Sequence, residues 1–592
     1  MAQHNEVEFE NELCEHLAAN GWLYSASDVG YDKARALFPD DVFGWLQDTQ
    51  DGELAKAIKP TDSPVLQAKA REQLLDRLVK VLDLPLSSQG GTLRVLRKGF
   101  QSGSASLKMA QFRPADNLNP VTLELYGKVR LRVMRQVHYS KSNKNSIDLV
   151  FFVNGLPVAT AELKTDFTQS IQHAIRQYQE DRRPAGEPLL KFGARALVHL
   201  AVSNSEVWMC TDLRPDKLKF RPLNKGNDGR AGNPDNPDGS NSSYLWEELL
   251  QRDNWLALLG KFMLVTTDTR ADLVTGKTTT SHRILFPRYH QWDPVTRLVE
   301  AAKVDGPGGR YLIQHSAGSG KTNSIAWTAQ RLSTLHTDAG KRVFDSVVVV
   351  TDRTVLDAQL KAALFQIEAQ PGVVVAIGTE GGKPKSAELT AALLSGAAII
   401  IVTIQTFPFA LAAMTDNKAL AGKSFAVIAD EAHSSQTGNT ANKLKEILSP
   451  AELADLKDGG EVSVNDVFAV LMAERVKTKN ISYVAFTATP KAKTLEMFGT
   501  LDRQGKLPEP YHLYSMQQAI EEGYILDVLQ NYLPYKIAWK LAHNGVDYDS
   551  DQLVDQSKAV KGLVQWVRLH ESPRQVRRLS FYSCYATSSA DA

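Results

Sequence analysis

The octamer His-Ser-Ala-Gly-Ser-Gly-Lys-Thr at residues 315–322 constrains the fold of this chain more than any other stretch. It follows the apolar residues 311–313 and precedes a helical pattern, which is the strand, glycine-rich loop and helix order of a phosphate-binding loop. Such a loop binds a nucleoside triphosphate. The backbone amides, the helix N-terminus and the lysine contact the phosphates, and the hydroxyl ligates Mg²⁺. The first motif position, usually glycine, is His315, as in the relaxed loops of helicase-like motors. The predicted nucleotide contacts are Gly318, Ser319, Gly320, Lys321 and Thr322, with Thr322 also a Mg²⁺ ligand.

Two later strand ends support a nucleotide-hydrolysing lobe. One apolar run ends in Asp-Glu-Ala-His, where Asp430 would hold Mg²⁺ and Glu431 would polarise the attacking water. Such an acidic pair alone also fits a helix N-terminus, because carboxylates favour its dipole. Another run ends in Thr-Ala-Thr-Pro, and its hydroxyls are candidates for coupling the nucleotide to a neighbouring site. The predicted coupling residues are His433, Thr487 and Thr489.

Further buried-strand runs, at residues 347–350 and 399–402, end in polar residues and are typical of a parallel sheet. Polar groups at such ends suit the phosphate backbone of a nucleic acid. The predicted nucleic-acid contacts are Arg353, Thr403, Gln405 and Thr406. Shortly before the phosphate loop, Gln291 is a candidate reader of the adenine edge.

A second centre is indicated by an apolar β-hairpin around Asn-Gly, in which Asp148, Glu162 and Lys164 form a D…E-x-K pattern. Metal-dependent phosphodiester cleavage requires such groups, with two acids holding Mg²⁺ and a lysine orienting the attacking water. A three-residue loop would pair Asp148 with Glu162, whereas a two-residue loop would turn Asp148 away. The alternative is a solvated strand end, although the apolar neighbours make unpaired carboxylates costly there.

The remaining pattern predicts helices at residues 6–20, 64–83 and 171–180, and a strand from Thr122 to Val137. Gln177 and Arg182 are candidate site-closing groups or members of a solvated helix face. Residues 224–243 have the composition of a long flexible loop. We predict a first domain over residues 1–265, a linker over 266–281, a motor lobe over 282–535 with a surface insertion at 450–480, and a connector and tail over 536–592.

Charge and cysteine spacing narrow the class of protein. The 592 residues suffice for about three to four domains. The 68 basic and 67 acidic residues give a net charge of +1, so any DNA contact must use local patches of positive charge. The three cysteines lie far apart, which argues against disulfides or a zinc site. The N-terminus lacks a signal-peptide pattern and no apolar run would span a bilayer. We expect a soluble, cytoplasmic protein without membrane contact.

Taken together, residues from about 4 to about 570 resemble the motor and nuclease subunit of type I restriction-modification enzymes, a superfamily 2 helicase-like family. The resemblance rests on the following stretches: FVNGLPVATAELK, the GNP loop followed by YLWE, FPRYHQWD, QHSAGSGKTNSIAW, VVVVTDRTVLDAQL, TIQTF, IADEAHSSQTG, AFTATPKAKTLEMFGT and YSMQQAIEEGYILDVLQNY.

The resemblance implies an α/β fold, with a PD-(D/E)xK-type endonuclease-like domain followed by one RecA-like lobe. It implies ATP and Mg²⁺ as cofactors, ATP-driven translocation on double-stranded DNA and cleavage away from the recognition site. Modification and specificity subunits would supply methylation and target reading. It also adds Glu10 and Gln177 to the nuclease site, but the family's Q-x-x-x-Y element is altered in either register here, by Asp181 or by Ala174. Two rival classes are a stand-alone helicase-like ATPase and a truncated nucleotide-binding chain.

The end of the sequence departs from the family pattern. From about Glu571 the residues stop resembling it, and too few residues follow Thr489 for a second α/β lobe of ~150 residues. The sequence therefore predicts a chain that lacks the second motor lobe, with a disordered tail, weak ATP binding and no translocation by itself.

Overall fold

Two seven-stranded sheets form the framework of the protein. The computed structural model describes residues 2–88, 90–166, 170–271, 278–351, 360, 363–364, 373–377, 385–403, 406–430, 480–490, 492–501 and 508–527. Both sheets lie in one compact unit, Met1–Tyr524.

The first half contains short strands and helices around one mixed sheet. Its helices are α1 (Ala2–Ala19), α2 (Pro39–Ala57), α3 (Pro64–Leu82), α4 (Thr92–Lys98), α5 (Pro120–Gly127), α6 (Ile171–Glu180) and α7 (Arg252–Ala257). Its strands are β1 (Leu23–Ser25), β2 (Phe100–Ser102), β3 (Ala105–Leu107), β4 (Leu131–His138), β5 (Ser146–Val153), β6 (Leu156–Leu163), β7 (Val198–Val202), β8 (Val207–Cys210) and β9 (Arg221–Pro222). Short 3₁₀ turns lie at Leu86–Ser88 and Pro188–Leu190, and π-helical turns at Leu245–Leu249 and Leu258–Phe262.

The second half begins with a two-stranded ribbon and continues into a parallel sheet. Its strands are β10 (Leu264–Ala271), β11 (Thr278–Leu285), β12 (Arg310–His315), β13 (Ser346–Thr351), β14 (Val374–Ala376), β15 (Ile399–Thr403), β16 (Phe425–Asp430), β17 (Ile481–Thr487), β18 (Thr500–Leu501), β19 (Pro508–Glu509) and β20 (His512–Tyr514). Its helices are α8 (Tyr289–Asp305), α9 (Lys321–Ser333), α10 (Lys385–Ser395), α11 (Phe407–Asp416), α12 (Ala492–Phe498) and α13 (Met516–Glu521), with a 3₁₀ turn at Lys418–Leu420.

The first sheet has the strand order β1-β4-β5-β6-β7-β8-β9 and is centred on the β5–β6 hairpin. The hairpin turn has two residues, not three, because Val153 pairs with Leu156 across Asn154-Gly155. Both turn residues have positive φ, at 49° and 80°, as the tight hairpin turn of an Asn-Gly pair requires. This is the shorter of the two loop lengths considered from the sequence, and by itself it would turn Asp148 away from Glu162.

A β-bulge restores the alignment that the short turn would have lost. Phe151 pairs with Ala159 but Phe152 pairs with Pro157, so Val158 is an extra residue on β6. Beyond the bulge Leu149 pairs with Ala161, which places Asp148 opposite Glu162 if the register continues by one residue. Because successive side chains of a strand point to opposite faces, a shift of one residue changes the face on which Asp148 lies relative to Glu162.

The hairpin turn packs tightly against the start of α2. Gly155 has φ of +80°, and a Cβ added there would lie 2.4 Å from the carbonyl oxygen of Phe38. We expect Gly155→Ala to destabilise the protein by about 1–3 kcal/mol from backbone strain alone, with a further loss from this clash. Urea denaturation of Gly21→Ala gives the matched control, because Gly21 has φ of +87° and no described residue has an atom within 4 Å of an added Cβ. Equal losses for the two variants would contradict the close approach.

Two expected segments differ in form. Residues 122–127 are helical rather than part of a strand, because Pro120 opens α5 and the side chain of Asn119 accepts hydrogen bonds from the amides of Val121 and Thr122. The strand begins only at Leu131. The predicted linker at 266–281 is largely an antiparallel ribbon, in which Leu264 pairs with Leu285.

The second sheet has the order β14-β15-β13-β16-β17-β12-β20, and each of its described pairings is parallel. Parallel strands place all their carboxyl ends at one edge. The α/β fold predicted from the buried apolar runs is confirmed. No helix in the described part of the chain is both long and apolar enough to cross a bilayer.

One hydrophobic core extends through both sheets. It includes Trp246 and Phe262 of the first half and Trp327 of α9, and the rings of Phe262 and Trp327 lie 5.6 Å apart between centroids. Tyr244 and Tyr289 form a second ring contact across the same boundary, at 5.2 Å. The two halves are thus joined by packed aromatic side chains in addition to the ribbon.

Candidate functional site

The first candidate site lies at the end of the β5–β6 hairpin, around a buried carboxylate. Glu162 has no exposed surface, and its Oε1 accepts a hydrogen bond from Nε of Arg182 at 2.6 Å. Asp148 lies beside it, where Oδ2 accepts a hydrogen bond of 2.8 Å from the amide of Leu163. The structure therefore brings the two predicted acids to the same end of the hairpin.

The charge balance of this site is unfavourable as it stands. Burial raises the pKa of Glu162 well above its usual value, and the neighbouring charge of Asp148 raises it further, against the opposing effect of Arg182. The Oε2 atom of Glu162 is buried and has no hydrogen-bond partner among the residues that the structure describes. A cation would relieve both the repulsion and the unpaired oxygen.

The residues present fit Mg²⁺. This ion is commonly held by one or two carboxylates and keeps several waters, which matches Asp148 and Glu162. No group of three or more His, Cys, Asp or Glu side chains within the described ranges is placed to hold a metal. The structure thus offers a two-carboxylate centre.

Lys164 follows directly after β6 and is largely buried. Its Nζ donates to Oε1 of Glu6 at 2.8 Å and to the carbonyl oxygen of Leu163 at 2.7 Å. Glu6 lies on α1, four residues before Glu10 and hence on the same helix face. Sequence reasoning missed Glu6, although this spacing was a usable signal.

The two weaker candidates have separate environments. Oε2 of Glu10 pairs with Nη2 of Arg135 at 2.7 Å, and its Oε1 is buried with no partner in the described part of the chain. Gln177 also has a buried Oε1 that finds no partner within the described ranges, and its backbone carbonyl oxygen accepts from the amide of Arg182 at 3.1 Å. No described hydrogen bond joins either side chain to Asp148, Glu162 or Lys164.

The second candidate site is the loop between β12 and α9. Gly318 and Gly320 have φ of 74° and 79°, which lets the loop curve before Lys321 begins α9. Ser319 is buried, and its Oγ has no partner within the described residues. The amides at the start of α9 and the loop backbone provide the donors that a phosphate group needs.

Gln291 is held against this loop. Its Nε2 donates to the carbonyl oxygens of Ser319 and Gly320 at 3.1 and 3.2 Å, while its Oε1 accepts from the amide of Arg288. Gly320 has φ of 79°, a conformation that favours glycine, and a Cβ added there would lie 2.5 Å from that Nε2. The predicted adenine-reading role stays a prediction, since both polar atoms of Gln291 bind backbone groups in this structure.

Three buried histidines lie behind the loop, a feature that the sequence did not reveal. Nε2 of His315 is 2.9 Å from Nδ1 of His512, and His290 is 3.1 Å from the carbonyl oxygen of Ser319. Burial lowers the pKa of all three, that of His512 to about 3. These neutral rings fill the space behind the loop without adding positive charge.

The predicted strand-end residues lie at one edge of the second sheet. Asp430 ends β16, Thr487 ends β17 and Thr403 ends β15, at the edge where β12 enters the phosphate loop. Thr406 is buried, with its Oγ1 3.1 Å from that of Thr403, whereas Thr489 is exposed. Arg353, Gln405, Glu431 and His433 lie outside the described residues, as do most of the predicted 450–480 insertion and the 536–592 tail.

Each half of the chain contains a match to a known family model. Residues 43–218 match the family model of the type I restriction enzyme R protein N terminus, and residues 290–456 match that of the SWI2/SNF2 ATPase. The two matches lie one in each half of the chain. The predicted resemblance to the R subunits of type I restriction enzymes is confirmed.

A curated relative aligns with both regions. The chain is 24% identical over 575 residues to the type I restriction enzyme HindI endonuclease subunit of Haemophilus influenzae, an alignment that covers 92% of the chain and 47% of the relative. The chain therefore spans about half the length of the curated relative that it matches.

Solved structures give weaker matches. A fragment described as an HsdR subunit of a type I restriction enzyme from Vibrio vulnificus is 14% identical, with a TM-score of 0.24, over 64% of this chain and 52% of that one. The Hef helicase domain of Pyrococcus furiosus is 17% identical, with a TM-score of 0.26, over 46% of this chain and 52% of that one. At these scores the superpositions carry no weight beside the sequence matches.

Proposed function

We propose that the chain acts in a type I restriction R subunit, where ATP hydrolysis drives movement along double-stranded DNA and a Mg²⁺-dependent nuclease cuts both strands. The observation that supports the nuclease most directly is the buried Glu162 beside Asp148, with a carboxylate oxygen that no described residue hydrogen-bonds. A purely structural hairpin end would gain nothing from placing two acids together in an apolar sheet.

In the proposed nuclease centre, Asp148 and Glu162 hold Mg²⁺ and Lys164 lies next to the reacting phosphate. Bound Mg²⁺ would supply Lewis-acid stabilisation of the scissile phosphate and a lowered pKa for a bound water. Arg182 keeps Glu162 oriented through its 2.6 Å hydrogen bond. Glu6 holds the lysine ammonium group close to the hairpin end.

In the proposed nucleotide site, the loop amides and Lys321 bind the ATP phosphates, while Thr322 and Asp430 hold Mg²⁺. Gln291 fixes the loop backbone, so its side chain is a positioning group for the phosphates as well as a candidate for the base. Glu431 would orient the attacking water. Arg353, Thr403, Gln405 and Thr406 are proposed to contact DNA, and His433, Thr487 and Thr489 to couple it to the nucleotide.

The proposed partners are double-stranded DNA and the modification and specificity subunits of the same restriction system. The Haemophilus influenzae relative is named an endonuclease subunit. This name agrees with our proposal that other subunits read and methylate the target. We place the boundary between a nuclease domain and a motor lobe at the β10–β11 ribbon.

Incubation of supercoiled plasmid with the purified chain tests the nuclease proposal. We expect nicking with Mg²⁺ and none with EDTA, because two carboxylates alone do not supply the Lewis-acid chemistry. Calorimetry with ATP and Mg²⁺ tests nucleotide binding on the same sample. ATP binding without any nicking would favour a stand-alone helicase-like ATPase instead.

A further inference from the structure

Gln136 has a strained backbone conformation inside β4. Its φ is +47°, in the left-handed region, although the residue belongs to a strand. A residue with a Cβ is strained there and glycine is not. Asn154 and Asp228 also have positive φ, at 49° and 45°, but their short polar side chains are of the types that tolerate it. Strain of this kind clusters at functional sites, so the contacts of the Gln136 side chain indicate its role.

The register of β4 and β5 places Gln136 opposite Asp148. Arg135 pairs with Leu149, so the next residue of β4 lies opposite the preceding residue of β5. The two side chains also meet, because Nε2 of Gln136 donates a hydrogen bond to Oδ1 of Asp148 at 3.3 Å. Gln136 is exposed and Asp148 is half-buried, so this contact lies on the solvent-accessible side of the candidate metal centre.

The partners of the Gln136 amide determine which way it faces. Oε1 of Gln136 accepts a hydrogen bond of 3.3 Å from Oγ of Ser146, the first residue of β5. An ionised carboxylate can only accept hydrogen bonds, so the NH₂ group must face Asp148. The carbonyl oxygen therefore faces Ser146, and Gln136 acts on Asp148 as a donor.

Each oxygen of Asp148 then has a donor from a different neighbouring strand. Oδ1 accepts from Gln136 of β4, and Oδ2 accepts from the amide of Leu163 of β6 at 2.8 Å. Two such bonds fix the rotation of the carboxylate group. An ionised carboxylate has about four acceptor positions, so lone pairs for an ion remain on both oxygens. Hydrogen bonds of this kind orient the ligands of a bound metal.

We propose that Gln136 is a positioning residue of the nuclease centre, which orients Asp148 for Mg²⁺ through its side-chain amide. The inference rests on the proposed function, in which Asp148 and Glu162 hold the ion. The left-handed φ changes the direction in which the Cβ of Gln136 leaves the strand, so the strained backbone and the amide contact act together. Gln136 thus contributes to metal affinity and not to the stability of the fold.

Replacing Gln136 with glycine tests this role, because glycine removes the amide and relieves the strain. Mn²⁺ also suits carboxylate and water ligands, and its binding is measured without nucleotide by electron paramagnetic resonance. The Kd for Mn²⁺ should rise about 10- to 100-fold, the usual effect of removing a partner of a metal ligand. Loss of the same Mn²⁺ signal in Glu162→Gln assigns the signal to this centre.

Plasmid nicking gives a second readout of the same variant. The Mg²⁺ concentration for half-maximal nicking should rise by a similar factor in Gln136→Gly. The nicking rate at saturating Mg²⁺ should change much less, because a bound ion itself holds Asp148 in place. A residue that contacts the DNA would show the reverse, with slower nicking and unchanged Mn²⁺ affinity, and that result would overturn the proposal.

The stability of the metal-free protein separates positioning from a structural role. Gln136→Gly should not lower Tm in EDTA, because relief of the left-handed strain offsets the greater freedom of glycine in the unfolded chain. A fall of more than about 3 °C would make Gln136 a structural residue. Asp228→Gly is the matched control, since Asp228 also has positive φ and lies in the turn between Asn227 and Arg230. It should bind Mn²⁺ and nick DNA like wild type.

Further outcomes distinguish this inference from the proposed function. Gln136→Glu replaces the donor with a charged acceptor and should bind Mn²⁺ no better than wild type; tighter binding would make residue 136 a metal ligand instead. Wild-type Mn²⁺ affinity in Gln136→Gly, beside lost binding in Glu162→Gln, would overturn the inference and leave the proposed function intact. If wild type neither binds Mn²⁺ through Glu162 nor nicks DNA, the proposed nuclease fails, and the role of Gln136 fails with it.

Discussion

Replacing Glu162 with glutamine should reduce Mg²⁺-dependent nicking by roughly a thousandfold or more. The substitution keeps the shape of the side chain but removes one of two proposed metal ligands, and metal-ion stabilisation of the transition state is worth several kcal/mol. The measurement is the rate of conversion of supercoiled plasmid to nicked circle at saturating Mg²⁺.

The stability of this variant separates a catalytic role from a structural one. Because burial and Asp148 raise the pKa of Glu162, a neutral side chain there should leave Tm unchanged or higher. Glu180→Gln on the exposed end of α6 is the matched control and should nick DNA like wild type. Wild-type nicking by Glu162→Gln would remove Glu162 from the proposed site.

Replacing Lys321 with alanine should lower ATP affinity by about 10- to 150-fold. This range corresponds to the loss of one hydrogen bond from a charged donor, worth about 1.5–3 kcal/mol. Glu431→Gln should instead keep ATP affinity and lose hydrolysis, because the glutamate acts on the water in the chemical step. Calorimetry gives the affinities, and phosphate release measured with excess enzyme gives the hydrolysis rate.

A second lysine controls for the loss of positive charge. Lys341 is exposed and lies beyond the end of α9, so Lys341→Ala should bind ATP like wild type. Unchanged ATP affinity in Lys321→Ala would show that the predicted loop does not bind the phosphates through this lysine.

The position of the β5–β6 hairpin could be predicted from the sequence, but its internal alignment could not. Alternating apolar residues and the Asn-Gly pair identified both strands and the turn. With the two-residue turn alone, or with the bulge at Val158 alone, Asp148 would lie on the opposite face from Glu162. The two together keep the acids on one face. Pro157 lies beside the bulge, but a proline in a strand is compatible with a bulge, an edge strand or a strand start, so it does not specify the bulge by itself.

The central strands of the second sheet could be predicted because each is a buried apolar run that ends in a polar motif. The contacts between distant segments were not predictable. Lys164 reaches Glu6 across 158 positions of sequence, and His315 reaches His512 across 197. Such pairs follow from how helices and strands pack in three dimensions, which no local periodicity encodes. Arg182 lies between these cases, since its proximity in sequence made it a candidate for the site.

The aromatic contact between Phe262 and Trp327 affects how the proposed nuclease and ATPase activities can be studied separately. A fragment cut at the β10–β11 ribbon would expose Trp255, Phe262 and their neighbours, which are buried in the shared core. Exposed apolar surface of that kind promotes aggregation. The two halves therefore share one core, and point substitutions rather than dissection are the suitable means of silencing either proposed activity.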